Sequence, residues 1–248
     1  MPGTGDVAVV IPAKNEADRI EATVRAAQSI DGVGVVVVVD DGSTDATTAA
    51  ARRAGALVVR HDRNRGKSAA MTSGAEVVSV VDDREQRETP RHLLFLDADL
   101  AETAGAAGGL VTPVVSGAAD MTIAIMPGAG GGGGHGFVVR LSREGIRRAT
   151  GWQATQPLNG QRCLTRQAFE AARPLAYGFG VETALTIDLL RRGFRVLEVE
   201  MPFAHRVTGT DLRAQIHRGR QFAHVAFALL REVTPAPVGR PRTAGSRR

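Results

Sequence analysis

Residues Val35–Asp45 read VVVVVDDGSTD, five valines running straight into two aspartates, then a glycine and a Ser-Thr-Asp turn. An unbroken β-branched run suits a strand covered on both faces, and the acids, glycine and hydroxyls after it are turn and helix-start chemistry. Such a βα unit belongs to a parallel sheet. Working outward, strand-length apolar runs alternate with alanine-rich, helix-period segments through the first 125 residues. Strands are expected at Val7–Ile11, Val35–Asp40, Leu57–Arg60, His92–Asp97 and Met121–Met126, and helices at Glu16–Ser29, Thr44–Ala54, Lys67–Val81 and Thr103–Ser116. Ser43 and Thr44 offer N-caps to the second helix, with Asp45 near its positive end. The fold class is α/β, a mostly parallel central sheet flanked by helices.

The stretch Pro127–Gly136 carries the glycine run Gly130–Gly134, which cannot hold regular structure and is expected to form a mobile loop. Beyond it the periodicity predicts helices over Phe137–Thr150 and Gly180–Arg192, short strands over Gln161–Thr165 and Val196–Val199, and a long last helix over about Asp211–Arg231. The tail after Thr234 is rich in proline, glycine and arginine and is expected to be disordered.

Composition narrows the classes. At 248 residues the chain fits one α/β domain, and no apolar run reaches the roughly 20 residues of a membrane-spanning helix. The start, MPGTGDVAVVIP, lacks the basic region of an export signal, and the single cysteine, Cys163, cannot form an internal disulfide. A soluble, cytoplasmic protein is the expectation. Net charge is +5, but Arg240, Arg242, Arg247 and Arg248 supply +4 of it from a tail without acids, leaving a core near +1. This is no nucleic-acid-binding face, and nucleic acid is not an expected partner.

Three acidic or broken strand ends carry the chemistry. In His92–Leu100, HLLFLDADL, a buried strand ends in Asp97-Ala98-Asp99, and ligands of open α/β sheets bind at the carboxyl ends of strands. Alternate residues leaving a strand share a direction, so both carboxylates can address one divalent ion or the diphosphate it carries. Asp40 and Asp41 end the valine strand and suit hydroxyl or base N–H donors. In VIPAKNE, Val10–Glu16, Pro12 and Ala13 are expected to break the first strand, and Asn15 and Glu16 to begin a helix. All three are expected on one edge of the sheet.

With these residues in view, the chain resembles family 2 glycosyltransferases of the GT-A fold. The resemblance rests on Ile11-Pro12-Ala13-Lys14-Asn15-Glu16, Asp40-Asp41-Gly42-Ser43-Thr44-Asp45, Asn64-Arg65-Gly66-Lys67 and Asp97-Ala98-Asp99, in that order and spacing. It implies that Pro12, Ala13, Lys14, Glu16 and Asp41 surround the nucleoside. It likewise puts Gly66 and Lys67 near the uridine or diphosphate, and gives Asp97, Ala98 and Asp99 the sugar, ribose and metal, with Asp99 and Lys67 in the catalytic set. In the second half, Gly178-Phe179-Gly180-Val181-Glu182 and His205-Arg206 are similar to segments of glucosyl-3-phosphoglycerate synthases. That similarity implies Glu182 at the reaction centre and His205 as a metal ligand beside Asp99, with Mg2+ or Mn2+ as the cofactor. It also divides a single GT-A domain into a donor half over 1–126 and an acceptor and metal-completing half over 127–234, followed by the basic tail 235–248.

The implied reaction moves a hexose, glucose in first place, from a nucleotide-diphosphate sugar, a UDP-sugar in first place, to a small-molecule or lipid-linked acceptor that no residue pattern identifies. Charge developing on the leaving diphosphate calls for a divalent ion and nearby cations, and Arg65 and Lys67 are placed to assist. The acceptor hydroxyl needs a carboxylate base for inversion, or help from the leaving phosphate for retention, and the sequence leaves the stereochemistry open.

Two alternatives share parts of the pattern. A polyprenyl-phosphate glycosyltransferase at the membrane surface would use the same donor motifs, with Arg213, His217, Arg218 and Arg220 beside Phe222, Val225, Phe227 and Leu230 as a lipid-facing stripe. A core-packed helix or homodimer seam is the simpler reading of that stripe. A sugar-1-phosphate nucleotidyltransferase would need a glycine-rich triphosphate loop where IPAKNE stands. A donor-binding protein without catalysis conflicts with Asp97, Asp99, Glu182 and His205 all being present. Gly66-Lys67-Ser68 is no P-loop, because His61 stands where its first glycine belongs, and Gly128-x-Gly130-x-x-Gly133 fits a dinucleotide fingerprint only because the run is glycine. Trp152 and Gln153, near the Pro157–Arg162 stretch, either line the acceptor pocket or pack.

Overall fold

A computed structural model describes residues 5–126, 136–177 and 180–203. The glycine run, His205, the last helix and the tail lie outside the described residues. Among the described residues seven strands form one sheet in the order β3-β2-β1-β4-β6-β5-β7: β1 Val7–Ala13, β2 Val33–Asp40, β3 Leu57–Arg60, β4 His92–Phe95, β5 Met121–Ile125, β6 Arg162–Leu164 and β7 Val196–Glu200. Every pairing is parallel except those of β6, which runs antiparallel to both β4 and β5. The helices are α1 Ile20–Gln28, α2 Thr47–Arg53, α3 Lys67–Arg84, a 3-10 helix Ala101–Ala107, α4 Gly108–Val115, α5 Gly136–Thr150, α6 Arg166–Ala171 and α7 Val181–Arg191.

Alternation along the central strands sorts the core into two layers. Val7, Val9, Ile11, Val36, Val38 and Leu94 face α1, the 3-10 helix and α4, while Ala8, Val10, Val37, Val39, Leu93 and Phe95 face α3, α6 and α7. The chain builds β1, β2 and β3 outward, then crosses back through α3 to place β4 on the other side of β1. The crevice between the carboxyl ends of β1 and β4 is therefore the sheet's switch point, where such sheets bind ligands. α3 is pressed onto this crevice: a Cβ on Gly74 would lie 2.3 Å from Val10 Cγ1, so only glycine lets the helix so close.

Several expected boundaries shift for identifiable reasons. Pro12 does not break β1; pairing with β4 stops at Val10–Phe95, so the proline lies where only β2 continues alongside and its missing N–H costs the sheet little. Helix α1 begins at Ile20 and not at Glu16, because Asn15 takes a left-handed φ of 57° and residues 16–19 form a turn closed on the Glu16 carbonyl. Ser43 and Thr44 do not cap α2: the Ser43 hydroxyl accepts from Asn15 N at 2.9 Å, and Thr44 N donates to Asn15 Oδ1. Asp45 takes the capping part, accepting from Thr47 N at 3.0 Å. The segment expected as one helix over Thr103–Ser116 opens as a 3-10 turn and becomes α-helical only at Gly108, consistent with its glycines and Pro113. Helix α6, capped by the Thr165 hydroxyl, was not foreseen.

Candidate active site

The two aspartates of the valine strand do different jobs. Asp40 is 1% exposed and is consumed inside the turn, accepting from Ser43 N at 2.8 Å and from the Thr48 hydroxyl, so it does not face a ligand as the sequence suggested. Asp41 is held by its own N–H on Ala13 O at 2.8 Å, which couples the ends of β1 and β2. Its carboxylate accepts from Arg65 N at 2.7 Å and Gly66 N at 2.8 Å, and His61 Nδ1 lies 2.8 Å away. The same carboxylate thus fixes the entry to α3 and the position of Lys67. Gly42 makes this possible: its φ is 75°, and a Cβ there would stand 2.7 Å from the Arg63 carbonyl carbon. His61 continues the chain of contacts to Ser73 Oγ on α3 at 3.0 Å.

At the end of β4 the Asp97-Ala98-Asp99 turn is set by backbone contacts. Thr23, buried on α1, donates to Ala98 O at 2.8 Å and accepts from Ala101 N at 2.8 Å, and Arg19 donates to Asp99 O at 3.1 Å. Ala101 has a φ of 48°, a strained value for alanine that the Thr23 hydroxyl helps to hold. Asp97 and Asp99 are both partly exposed at this turn.

Lys67, Asp97 and Glu182, three residues singled out from the sequence, come together here. Lys67, in the first turn of α3, places Nζ 2.9 Å from Asp97 Oδ1 and 3.1 Å from Glu182 Oε1. Burial alone would favour the neutral amine, but the two carboxylates outweigh it and hold the lysine firmly protonated. Glu182 is only 8% exposed and sits in the first turn of α7, whose helix dipole also favours an acid. From β6's side, Gln161 Nε2 donates to Asp97 Oδ2 at 2.6 Å.

Of the remaining sequence-named residues, Pro12 and Ala13 line the end of β1, Lys14 is exposed just beyond it, and the Glu16 carbonyl closes the following turn. Gly66 caps α3, and Ala98 is buried within the 97–99 turn. His205 falls outside the described residues. Among the described residues no three His, Cys, Asp or Glu side chains gather as metal ligands. The acids of the 97–99 turn are nevertheless hard oxygen donors at a ligand crevice, and so fit a hard cation such as Mg2+ or Mn2+.

The sequence did not reveal His61, Thr23 or Gln161 as partners of the motif acids. It also left open whether Trp152 lines a pocket. Trp152 is partly buried and packs on two apolar clusters, and Arg162 is 1% exposed. Gly160 does reach the site, since a Cβ there would lie 2.1 Å from Lys67 Nζ and 3.0 Å from Asp97 Oδ1. Gly160→Ala is accordingly expected to displace the flexible lysine tip and not the backbone. It should cost less than about 1 kcal/mol of stability while cutting turnover roughly tenfold or more. Paired melting curves and initial rates check this; a normal rate would show that Lys67 need not stand where it does.

Residues 8–172 match the model of glycosyl transferase family 2. Glycosyltransferase AglJ of Haloferax volcanii is 31% identical over an aligned length of 222 residues, covering 85% of this chain and 67% of that protein. The glucosyl-3-phosphoglycerate synthase of Mycobacterium tuberculosis in complex with Mg2+ and uridine diphosphate is 25% identical with a TM-score of 0.75, covering 93% of this chain and 79% of that one. The same enzyme with Mn2+, UDP-glucose and phosphoglyceric acid is 26% identical with a TM-score of 0.71, over 93% and 80% of the two chains. Sheet, crevice and motifs thus agree with the comparisons, and the chain belongs to glycosyl transferase family 2 as a nucleotide-sugar-dependent glycosyltransferase.

Proposed function

We propose that the protein transfers a hexose, glucose in the first instance, from a UDP-sugar bound across the β1–β4 crevice, with a divalent cation held by Asp99 and His205. The observation that carries this reading is the Asp97–Lys67–Glu182 chain of contacts at 2.9 and 3.1 Å at the mouth of that crevice. Pro12, Ala13, Lys14 and Glu16 flank the nucleoside from the end of β1. Asp41 serves the base as well as the loop: a carboxylate offers about four acceptor positions, and three donors of the chain surround it here. The N-terminus of α3, opened by Gly66, presents backbone N–H groups and the Lys67 ammonium toward a diphosphate.

A bound Mg2+ or Mn2+ supplies charge neutralisation for the diphosphate. The chain's own residues do the rest. Lys67 offers a fixed positive charge where negative charge develops, and Asp97 and Gln161 keep it and the sugar-side carboxylate in place. Glu182, nearly out of solvent and beside a cation, stands where an acid can orient a sugar hydroxyl or take the acceptor's proton. The synthase complexes contain phosphoglyceric acid, which makes it the first acceptor to test.

A thermal-shift panel tests the donor assignment directly. Uridine diphosphate and UDP-glucose with manganese are expected to raise the melting point above guanosine and adenosine diphosphates, corresponding to about 2.7 kcal/mol at a hundredfold excess over Kd. A flat response to every uridine nucleotide would sink the reading.

A further inference from the structure

Among the described residues Arg162 is the largest side chain wholly inside the protein, and the function described so far gives it nothing to do. It stands at the start of β6, the antiparallel strand beside β4. Its Nε donates to Asn159 O at 2.8 Å and Nη2 to Pro157 O at 2.8 Å. Nη1 donates to Glu182 O and to Thr186 Oγ1, both at 2.9 Å, and the Thr186 hydroxyl in turn donates to Glu182 O at 2.8 Å. The guanidinium therefore grips two segments at once. One is the 157–161 loop, whose Gly160 abuts Lys67 and whose Gln161 donates to Asp97; the other is the first turn of α7, which carries Glu182.

Burying a cation among carbonyls is expensive, and an apolar side chain of similar volume would fill the space at lower cost. Burial pulls the arginine down to about 10 against the opposing pull of Glu182 and Glu198, so it still carries its charge at neutral pH. A planar fork with five N–H donors meets four acceptors from two separate elements, a geometry that a lysine or an apolar group cannot reproduce.

We propose that Arg162 is the positioning residue of the reaction centre, setting Glu182 and the Gly160–Gln161 backbone at fixed distances from Lys67 and Asp97 without touching substrate. This rests on the glycosyl-transfer reading for its consequences but not for its geometry. The protein has only two lysines, Lys14 and Lys67, so side-chain ammonium signals of isotope-labelled lysine report on Lys67 directly. In the full chain, Lys67 is expected to give a signal resolved from exposed Lys14 and slow to exchange with water. In Arg162→Gln that signal should collapse toward Lys14's. Thr186→Val, which removes only the hydroxyl shared by Arg162 and Glu182, is the milder second variant, should one be needed to keep the fold, and should move it part of the way.

Arg166→Gln is the control, because that arginine bonds Ala75 O and Ser79 Oγ, about 12 Å or more along α3 from Lys67, and should leave the Lys67 signal in place. With UDP-glucose and manganese, turnover in Arg162→Gln should fall about tenfold or more while uridine-diphosphate affinity stays within about threefold, the pattern of lost positioning and not of lost donor binding. An unmoved Lys67 signal in folded Arg162→Gln and Thr186→Val overturns the proposal, as does an equal shift in Arg166→Gln. Failure of the wild type to bind uridine diphosphate would instead overturn the donor assignment, and the lysine spectra would still decide the role of Arg162.

Discussion

Glu182→Gln is expected to bind uridine diphosphate within about threefold of the wild type and to lose roughly two orders of magnitude or more in turnover. The substitution keeps the side chain's size and one hydrogen-bonding oxygen, so α7 and its bonds through Glu182 O to Arg162 and Thr186 are retained. What disappears is a nearly buried negative charge 3.1 Å from Lys67 Nζ. The nucleoside is proposed to lie at the ends of β1 and β2, which touch Glu182 only through Lys67, so the loss should appear mainly in the chemical step. Titrating uridine diphosphate calorimetrically and measuring initial rates at saturating donor separates the two. Wild-type turnover would remove Glu182 from the mechanism. A parallel loss of nucleotide affinity would mean that its main effect is to hold Lys67 for the diphosphate, which a double-mutant cycle with Lys67→Met would expose as coupling.

How far the site could be read in advance depends on the range of the interaction concerned. The sheet was legible because its signal is local: five valines and an acidic turn specify a buried βα unit wherever they occur, and all seven strands were placed within two residues of their observed bounds. Meeting of Lys67, Asp97 and Glu182 was legible only through family likeness, since 115 positions separate the first from the last. The division of labour between Asp40 and Asp41 was not legible at all. The two neighbours are alike in sequence, and only the fold decides that Asp40 turns into the Ser43–Thr48 turn while Asp41 faces the 65–66 backbone and His61. Arg162 was hidden for a related reason: an arginine in QRCLTR gives no local sign that three backbone carbonyls will enclose it. Helix starts shifted because Asn15 and Ser43 spend their side chains on loop N–H groups instead of opening a helix, a competition that local propensity does not settle.

Removal of the Asp99 carboxylate is the sharpest test of the cation site. The 97–99 turn is tied down by Ala98 O and Ala101 N on Thr23 and by Asp99 O on Arg19, contacts that all survive Asp99→Ala. The variant should therefore melt close to the wild type, as expected for a change at a partly exposed loop position. Its uridine-diphosphate affinity without metal should also be nearly unchanged, because Asp41 and the α3 N-terminus remain. Manganese, by contrast, is expected to strengthen nucleotide binding by the wild type about tenfold or more and to do almost nothing for Asp99→Ala, since a diphosphate-bound cation would have lost a hard oxygen ligand from the protein. Calorimetry with and without manganese reads both quantities in one pair of titrations. An intact manganese effect in the variant would place the cation elsewhere. No manganese effect in the wild type would mean that charge on the leaving diphosphate is met by Lys67, Arg65 and the α3 terminus without a metal, and Lys67→Met would then become the more damaging of the two substitutions.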